Sequence, residues 1–143
     1  MNDWNKDLIA YRVDKSSETL EDSRILAKAE RWNICLNRLY YFCFYVVSAL
    51  LAIKGLASSK HTGVRSLFNK YYVKTGIVSK ELASIYNDLF ERRQESDYID
   101  FIDFHEHQVL PWISKAESFV EHIRNIIEHE MIGRYTGKDS SRG

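Results

Sequence analysis

The sequence predicts an all-α protein, an up-and-down bundle of four long helices and one short helix. Three observations lead there. The 143 residues contain one Pro and six Gly, so little interrupts regular structure. Apolar residues recur at steps of three and four, most clearly at Val109, Ile113, Ala116, Val120, Ile123 and Ile127. Strand-like alternation of apolar and polar residues is weak. The length fits one domain, read as residues 1–136, followed by a polar tail at 137–143 that is expected to be disordered.

Each element has its own signal. The first helix is expected from Asn5 to Glu30, with Val13, Ser17, Leu20, Ser23 or Arg24, and Ala27 on one face. The second runs from Trp32 to Lys54, and Gly55 suits a C-terminal cap. Ala57 to Gly63 reads as a loop. A short third helix then runs from Val64 to Lys74 and stops at Gly76. Ser79 can cap a fourth helix whose stripe is Leu82, Ile85 or Tyr86, Leu89 and Arg93. Asp97 to Phe104 reads as a connection with Tyr98, Phe101 and Phe104 as buried anchors. The fifth helix follows Pro111, which tolerates only a first-turn position or a kink.

Composition is that of an ordinary globular protein, 45% hydrophobic and 28% charged, with zero net charge. The charge is uneven. From Arg31 to Lys80 there are eight basic residues and no Asp or Glu, while the rest of the chain holds twelve basic and twenty acidic residues. One reading is a basic surface for phosphate or an acidic partner. The other is a basic central pair of helices covered by acidic outer ones.

Leu39 to Ile53 is uncharged over fifteen residues, short of the about 20 that a membrane span needs. A helix buried in a bundle core is expected, and no membrane role. Cys35 and Cys43 lie eight residues apart on one helix, about 12 Å along its axis. They are too far apart to pair and read as reduced, buried thiols. The N-terminus lacks the basic-then-apolar pattern of a signal peptide, so the chain reads as cytoplasmic.

Four segments occur in order: NRLYYFCFYVVSALLAIKG (Asn37 to Gly55), HTG (His61 to Gly63), KTG (Lys74 to Gly76) and LFERRQESDY (Leu89 to Tyr98). Together they resemble the HEPN domain family, small helical proteins linked to nucleotides, RNA and nucleotidyltransferase partners. The resemblance covers roughly Tyr11 to Glu128. It implies a helical bundle, a homodimer, and a minimal nucleotidyltransferase as partner in a toxin–antitoxin-like pair. It implies no cofactor.

The same resemblance directs attention to Arg93. Many HEPN nucleases carry Arg, four to six residues, then His, and two copies of the motif meet across a dimer. The His moves protons and the Arg stabilises phosphate charge, without a metal. Here Tyr98 stands where the His would be. A phenol with a pKa of about 10 is a poor base at neutral pH. Phosphate binding without efficient RNA cleavage is therefore expected, with a metal-independent RNase using Arg93 and Asp97 or Tyr98 as the alternative, and a purely structural dimerisation module as a third. On a regular helix Arg93 and Tyr98 point about 140° apart, whereas Arg93 and Asp97 are neighbours. A helix-end ion pair with Tyr98 as packing is the plainer account, and Arg92 reads as solvated.

Lys60, His61, Arg65 and Lys70 form a candidate nucleotide- or phosphate-binding set at the start of the short helix. A loop turn with a capping role is the competing account of His61. The other His residues, at 105, 107, 122 and 129, lack the spacing of a metal site, and none is expected. Asp97, Asp100, Asp103 and Glu106 read as the solvent side of a connection. The run from Gly133 to Asp139 fails as a phosphate-binding loop because its glycine spacing is one short and no strand precedes it. The aromatic cluster Tyr40, Tyr41, Phe42, Phe44 and Tyr45 is expected in the core and at a dimer contact rather than against nucleobases.

Overall fold

The computed structural model describes residues 3–142, with side chains from 5 to 133. The described residues form five α-helices: α1 (Asp3–Lys28), α2 (Trp32–Ile53), α3 (His61–Phe68), α4 (Lys80–Tyr98) and α5 (Glu106–Arg142). A π-type stretch, Asn69–Val73, continues α3. No strand occurs among the described residues, and the predicted all-α bundle is the observed one. The side chains of the expected polar tail at 137–143 lie outside the described residues.

Helix α2 is the hub, and α1, α3, α4 and α5 all pack on it. By length and hydropathy it resembles a membrane span, but 67% of its most apolar window is buried by the chain itself. It is the core helix of the bundle. From Val46 to Ile53 every residue is buried. It ends as expected at Gly55, with φ +70. Leu56 N–H donates to the Leu51 carbonyl and Gly55 N–H to that of Ala52, each at 3.0 Å. This is a Schellman cap, which needs a left-handed residue at that place.

Helix α1 packs with a face turned slightly from the one expected. Its buried positions are Ile9, Ser16, Thr19 and Ser23; Val13, Leu20 and Ala27 of the expected stripe pack at the edge of the core, and Ser17 is exposed. Small side chains let α1 lie close on α2, and each hydroxyl finds a backbone carbonyl. Ser16 donates to Phe42 O at 2.7 Å and Ser23 to Leu20 O at 2.7 Å. Burial of a hydroxyl without a partner would cost about 1–3 kcal/mol, so a polar face becomes an acceptable core face. Both cysteines are buried and unpaired.

Three boundaries differ from the reading of the sequence. Helix α3 begins at His61, three residues earlier than expected. Gly63 is no helix breaker: a Cβ there would sit on the Ser58 side chain, so Gly permits the loop before α3 to fold against it. Helix α4 starts on the predicted cap, Leu82 N–H donating to Ser79 Oγ at 3.1 Å, and continues through Tyr98. Helix α5 starts at Glu106, with Pro111 inside its second turn. Gln108 anchors that start by accepting from the His105 N–H at 2.8 Å, the arrangement of a capping box.

The connection from α4 to α5 corrects a second expectation. Phe104 is buried, but Tyr98 is 73% exposed and Phe101 103% exposed. Asn33 explains the split. Its side chain donates to Ile102 O at 3.0 Å and accepts from Phe104 N–H at 2.8 Å. That clamp seats Phe104 against the bundle and turns Phe101 outward, with φ +64.

Candidate functional site

Tyr40 of α2 organises the end of the bundle where α2, α3 and α4 meet. Its hydroxyl lies 2.7 Å from His61 Nδ1. The Arg93 guanidinium carbon stands 4.7 Å from the centre of its ring. Tyr41 adds a second shared wall, with its ring centre 5.5 Å from the His61 ring centre and 5.9 Å from the Arg93 guanidinium carbon. His61 also stacks on Phe44 at 4.5 Å. Sequence spacing gave no hint that His61 and Arg93, on different helices, share two aromatic walls.

Arg93 is 5% exposed. Its Nη1 reaches Asp97 Oδ2 at 3.4 Å, and Phe90 and Tyr98 complete a cage of rings around it. Its Nε is buried with no hydrogen-bond partner. A buried guanidinium held mainly by ring faces keeps hydrogen-bonding capacity unused. Asp97 is positioned from a second side, accepting from Asn37 Nδ2 at 3.0 Å. Arg38 in turn donates twice to Asn37 Oδ1, at 3.0 and 2.7 Å. Arg38, Asn37, Asp97 and Arg93 form one polar chain across α2 and α4.

The predicted residues divide. Arg93 and Asp97 meet as i,i+4 neighbours. Tyr98 comes within reach although α4 stays helical through it, because the long Arg93 side chain brings its guanidinium carbon 5.9 Å from the Tyr98 ring centre. His61 joins them across Tyr40. Arg65 lies close by, 4.0 Å over the Phe90 ring and 3.1 Å from Glu91 Oε1. Lys60 is exposed at the N-cap of α3. Lys70 does not join this group: it lies nine residues beyond His61, about 13 Å along the helix, over Tyr71. Arg92 lies over Trp112 at 4.9 Å rather than in open solvent. Tyr40 was named only as one ring of an aromatic cluster, and Asn37 and Arg38 were not singled out, since an Asn and an Arg beside an aromatic run carry no distinctive pattern.

The electrostatics follow from burial. Burial, and then the charge of Arg93, hold the His61 imidazole below its ordinary 6.5, so His61 is a neutral proton acceptor at pH 7. Burial pushes the Tyr40 phenol up to about 12, and it stays protonated. Among the described residues no group of three or more His, Cys, Asp or Glu side chains is arranged to hold a metal.

The HEPN domain profile matches residues 9–129. The chain belongs to the HEPN domain family. A UPF0332 protein of Thermotoga maritima is 47% identical over 128 residues, covering 90% of this chain and 96% of the relative. A putative toxin of Methanocaldococcus jannaschii is 32% identical, covering 76% of this chain and 74% of its own. A second putative toxin of that organism is 28% identical, covering 87% and 94%. This HEPN chain therefore has relatives named as toxins, and Arg93, Asp97 and Tyr98 fall inside the matched domain.

Proposed function

We propose that this HEPN protein binds a phosphate-bearing ligand, a nucleotide or RNA, at the Arg93–His61 site. In this reading it is a cytoplasmic homodimer and the toxin-like component of a pair with a minimal nucleotidyltransferase. The observation that carries the proposal is Arg93: a guanidinium buried in a ring cage, with an unused Nε, beside a neutral His and the acid-free segment. The names of two relatives, each a putative toxin, support the toxin-like part of this reading. The exposed Tyr98 and Phe101 support the dimer, because exposed aromatics gathered on one short segment mark contact surfaces. Binding of a fluorescein-labelled single-stranded RNA is the test. Added salt and the double variant Lys60→Glu, Arg65→Glu should each weaken it. Binding indifferent to both would remove the proposal. The pairing is checked separately, by co-purification with the product of an adjacent nucleotidyltransferase reading frame.

A second reading has a specific observation in its favour. His61, 2.7 Å from Tyr40 and sharing its ring with Arg93, is a proton carrier that Tyr98 is not. A metal-independent RNase using His61 and Arg93 would lose cleavage in His61→Ala and Arg93→Ala and keep it in Tyr98→Phe. Wild-type protein silent on single-stranded RNA and transfer RNA leaves binding without turnover as the function.

A further inference from the structure

The second half of α2 is enclosed on every side, but its first half is not. Ile34 is 54% exposed, and Arg38, Tyr41 and Tyr45 follow it at steps of four, three and four. These positions form one stripe along the helix. Phe44 borders it, and all three rings are half-buried. The rings are in mutual contact: Tyr41 to Phe44 at 5.8 Å, Tyr41 to Tyr45 at 5.9 Å and Phe44 to Tyr45 at 5.8 Å. His61 stacks on Phe44 at 4.5 Å, which ties the strip to the site described above. The Arg38 guanidinium carbon stands 4.8 Å over the Tyr41 ring.

We propose that Tyr41, Phe44 and Tyr45, with Arg38, form a stacking platform for the unpaired bases of a single-stranded nucleic acid whose backbone runs past Lys60 and Arg65. The inference rests on the phosphate-binding reading and specifies its ligand, a strand with exposed bases rather than an isolated phosphate. A residue step of seven, from Arg38 to Tyr45, covers about 10 Å of helix, which is room for about three stacked bases at 3.4 Å each. A strip that packed only against the chain's own core would hide these rings as Tyr40 and Phe42 are hidden. Charge favours a polyanion as occupant, because the residues from Arg31 to Lys80 that carry the strip include no carboxylate. Two acids of α4 beside the site are engaged: Asp97 by Asn37 and Arg93, Glu91 by Arg65. An aromatic face edged by cations is how sequence-tolerant single-strand binding is built.

The test uses the full chain and a labelled ten-nucleotide uridine strand, read by fluorescence anisotropy. Tyr41→Ala with Tyr45→Ala should weaken binding about tenfold or more, and Tyr41→Phe with Tyr45→Phe should restore it. Unpaired strands should bind more tightly than a duplex of equal length, which hides its base faces; this comparison needs no variant. Equal affinity for duplex and single strand would overturn the platform. So would unchanged binding in the double Ala variant, or a double variant that turns a dimer into a monomer while each protomer binds RNA as before. That last result would give the strip to a second copy of the chain. Wild-type protein that binds no strand at all defeats the phosphate-binding reading instead, whereas salt-sensitive binding indifferent to the rings defeats the platform alone.

Discussion

The two halves of α2 are built on opposite terms. From Val46 to Ile53 the helix is buried all round, and around it lie Phe68, Tyr72 and Ile123, none more than 0% exposed. The polar groups there are satisfied: the Ser48 carbonyl accepts from Arg12 at 3.0 Å, and Tyr72 donates to Glu130 at 2.8 Å. From Trp32 to Tyr45 the helix also buries Cys35, Leu36, Leu39 and Cys43, but its other side carries rings and amides and faces Arg93. Arg93 Nε, buried with no hydrogen-bond partner, lies against this half. One half is optimised for packing. The other leaves hydrogen-bonding capacity unused at Arg93.

The largest effect that would test this division is in the dry half. Leu50 is fully buried, and Leu50→Ala should lower stability by about 2–5 kcal/mol. Urea denaturation measures it. RNA affinity per folded molecule should stay within twofold. If affinity falls in step with stability, the two halves are not independent.

Arg93→Met is the converse. An apolar side chain of similar length fills the cage and removes the unpartnered Nε, while Asp97 keeps its bond from Asn37 and its access to water, so stability should change by no more than about 1 kcal/mol. Ligand affinity should fall at least tenfold, since charge-assisted contacts to phosphate are worth about 1.5–3 kcal/mol. A variant that unfolds but still binds when refolded would assign Arg93 to structure.

The halves should also part in their response to pH. Tyr40, raised from 10.0 to about 12, and Cys35, raised from 9.0 to about 11, belong to the aromatic half. Both pKa values are higher in the folded state, so their contribution is complete below the unfolded values and is lost as pH rises through about 9 to 12. His61 has the opposite sign. Its folded pKa lies below 6.5, so its contribution is present above 6.5 and is lost as pH falls through the folded value. Thermal melts from pH 5 to 11.5 should show both flanks. Tyr40→Phe should remove part of the alkaline one, at a cost near pH 7 of about 1 kcal/mol for the lost bond to His61.

Much of this contrast was legible in the residues. The uncharged run of α2, the Gly55 cap, the Ser79 cap and the seam of α5 are local patterns, and local patterns fix local geometry. Arg93 and Asp97 were legible because i,i+4 spacing brings them together on one helix. The link between His61 and Arg93 was not, because it passes through Tyr40, and nothing in a run of aromatics says which ring turns inward. The face of α1 was legible in part. Val13, Leu20, Ser23 and Ala27 pack inward as expected, but Ser16 and Thr19 were missed, because their burial depends on the carbonyls that accept from them. The exposure of Phe101 was hidden too, since it depends on Asn33, far away in sequence, which donates one hydrogen bond and accepts another.

The smallest effect is the most diagnostic of what covers the aromatic half. Phe101 is fully exposed and holds φ +64, a region that disfavours aromatic residues. Such strain costs of order 1–3 kcal/mol and persists where the surroundings impose it; here the Asn33 clamp does so. In an isolated protomer the side chain returns nothing for that strain. Phe101→Gly should therefore stabilise the protomer by about 1 kcal/mol, as the left-handed conformation becomes free of steric penalty. If a second copy covers Tyr98 and Phe101 in solution, the same substitution should weaken the dimer, and light scattering should show more monomer at equal concentration. Stabilisation with the dimer intact would place the interface elsewhere. Weakened assembly together with a more stable protomer would show that the chain spends folding stability to present Phe101 to its partner, next to the site that Arg93 and His61 build.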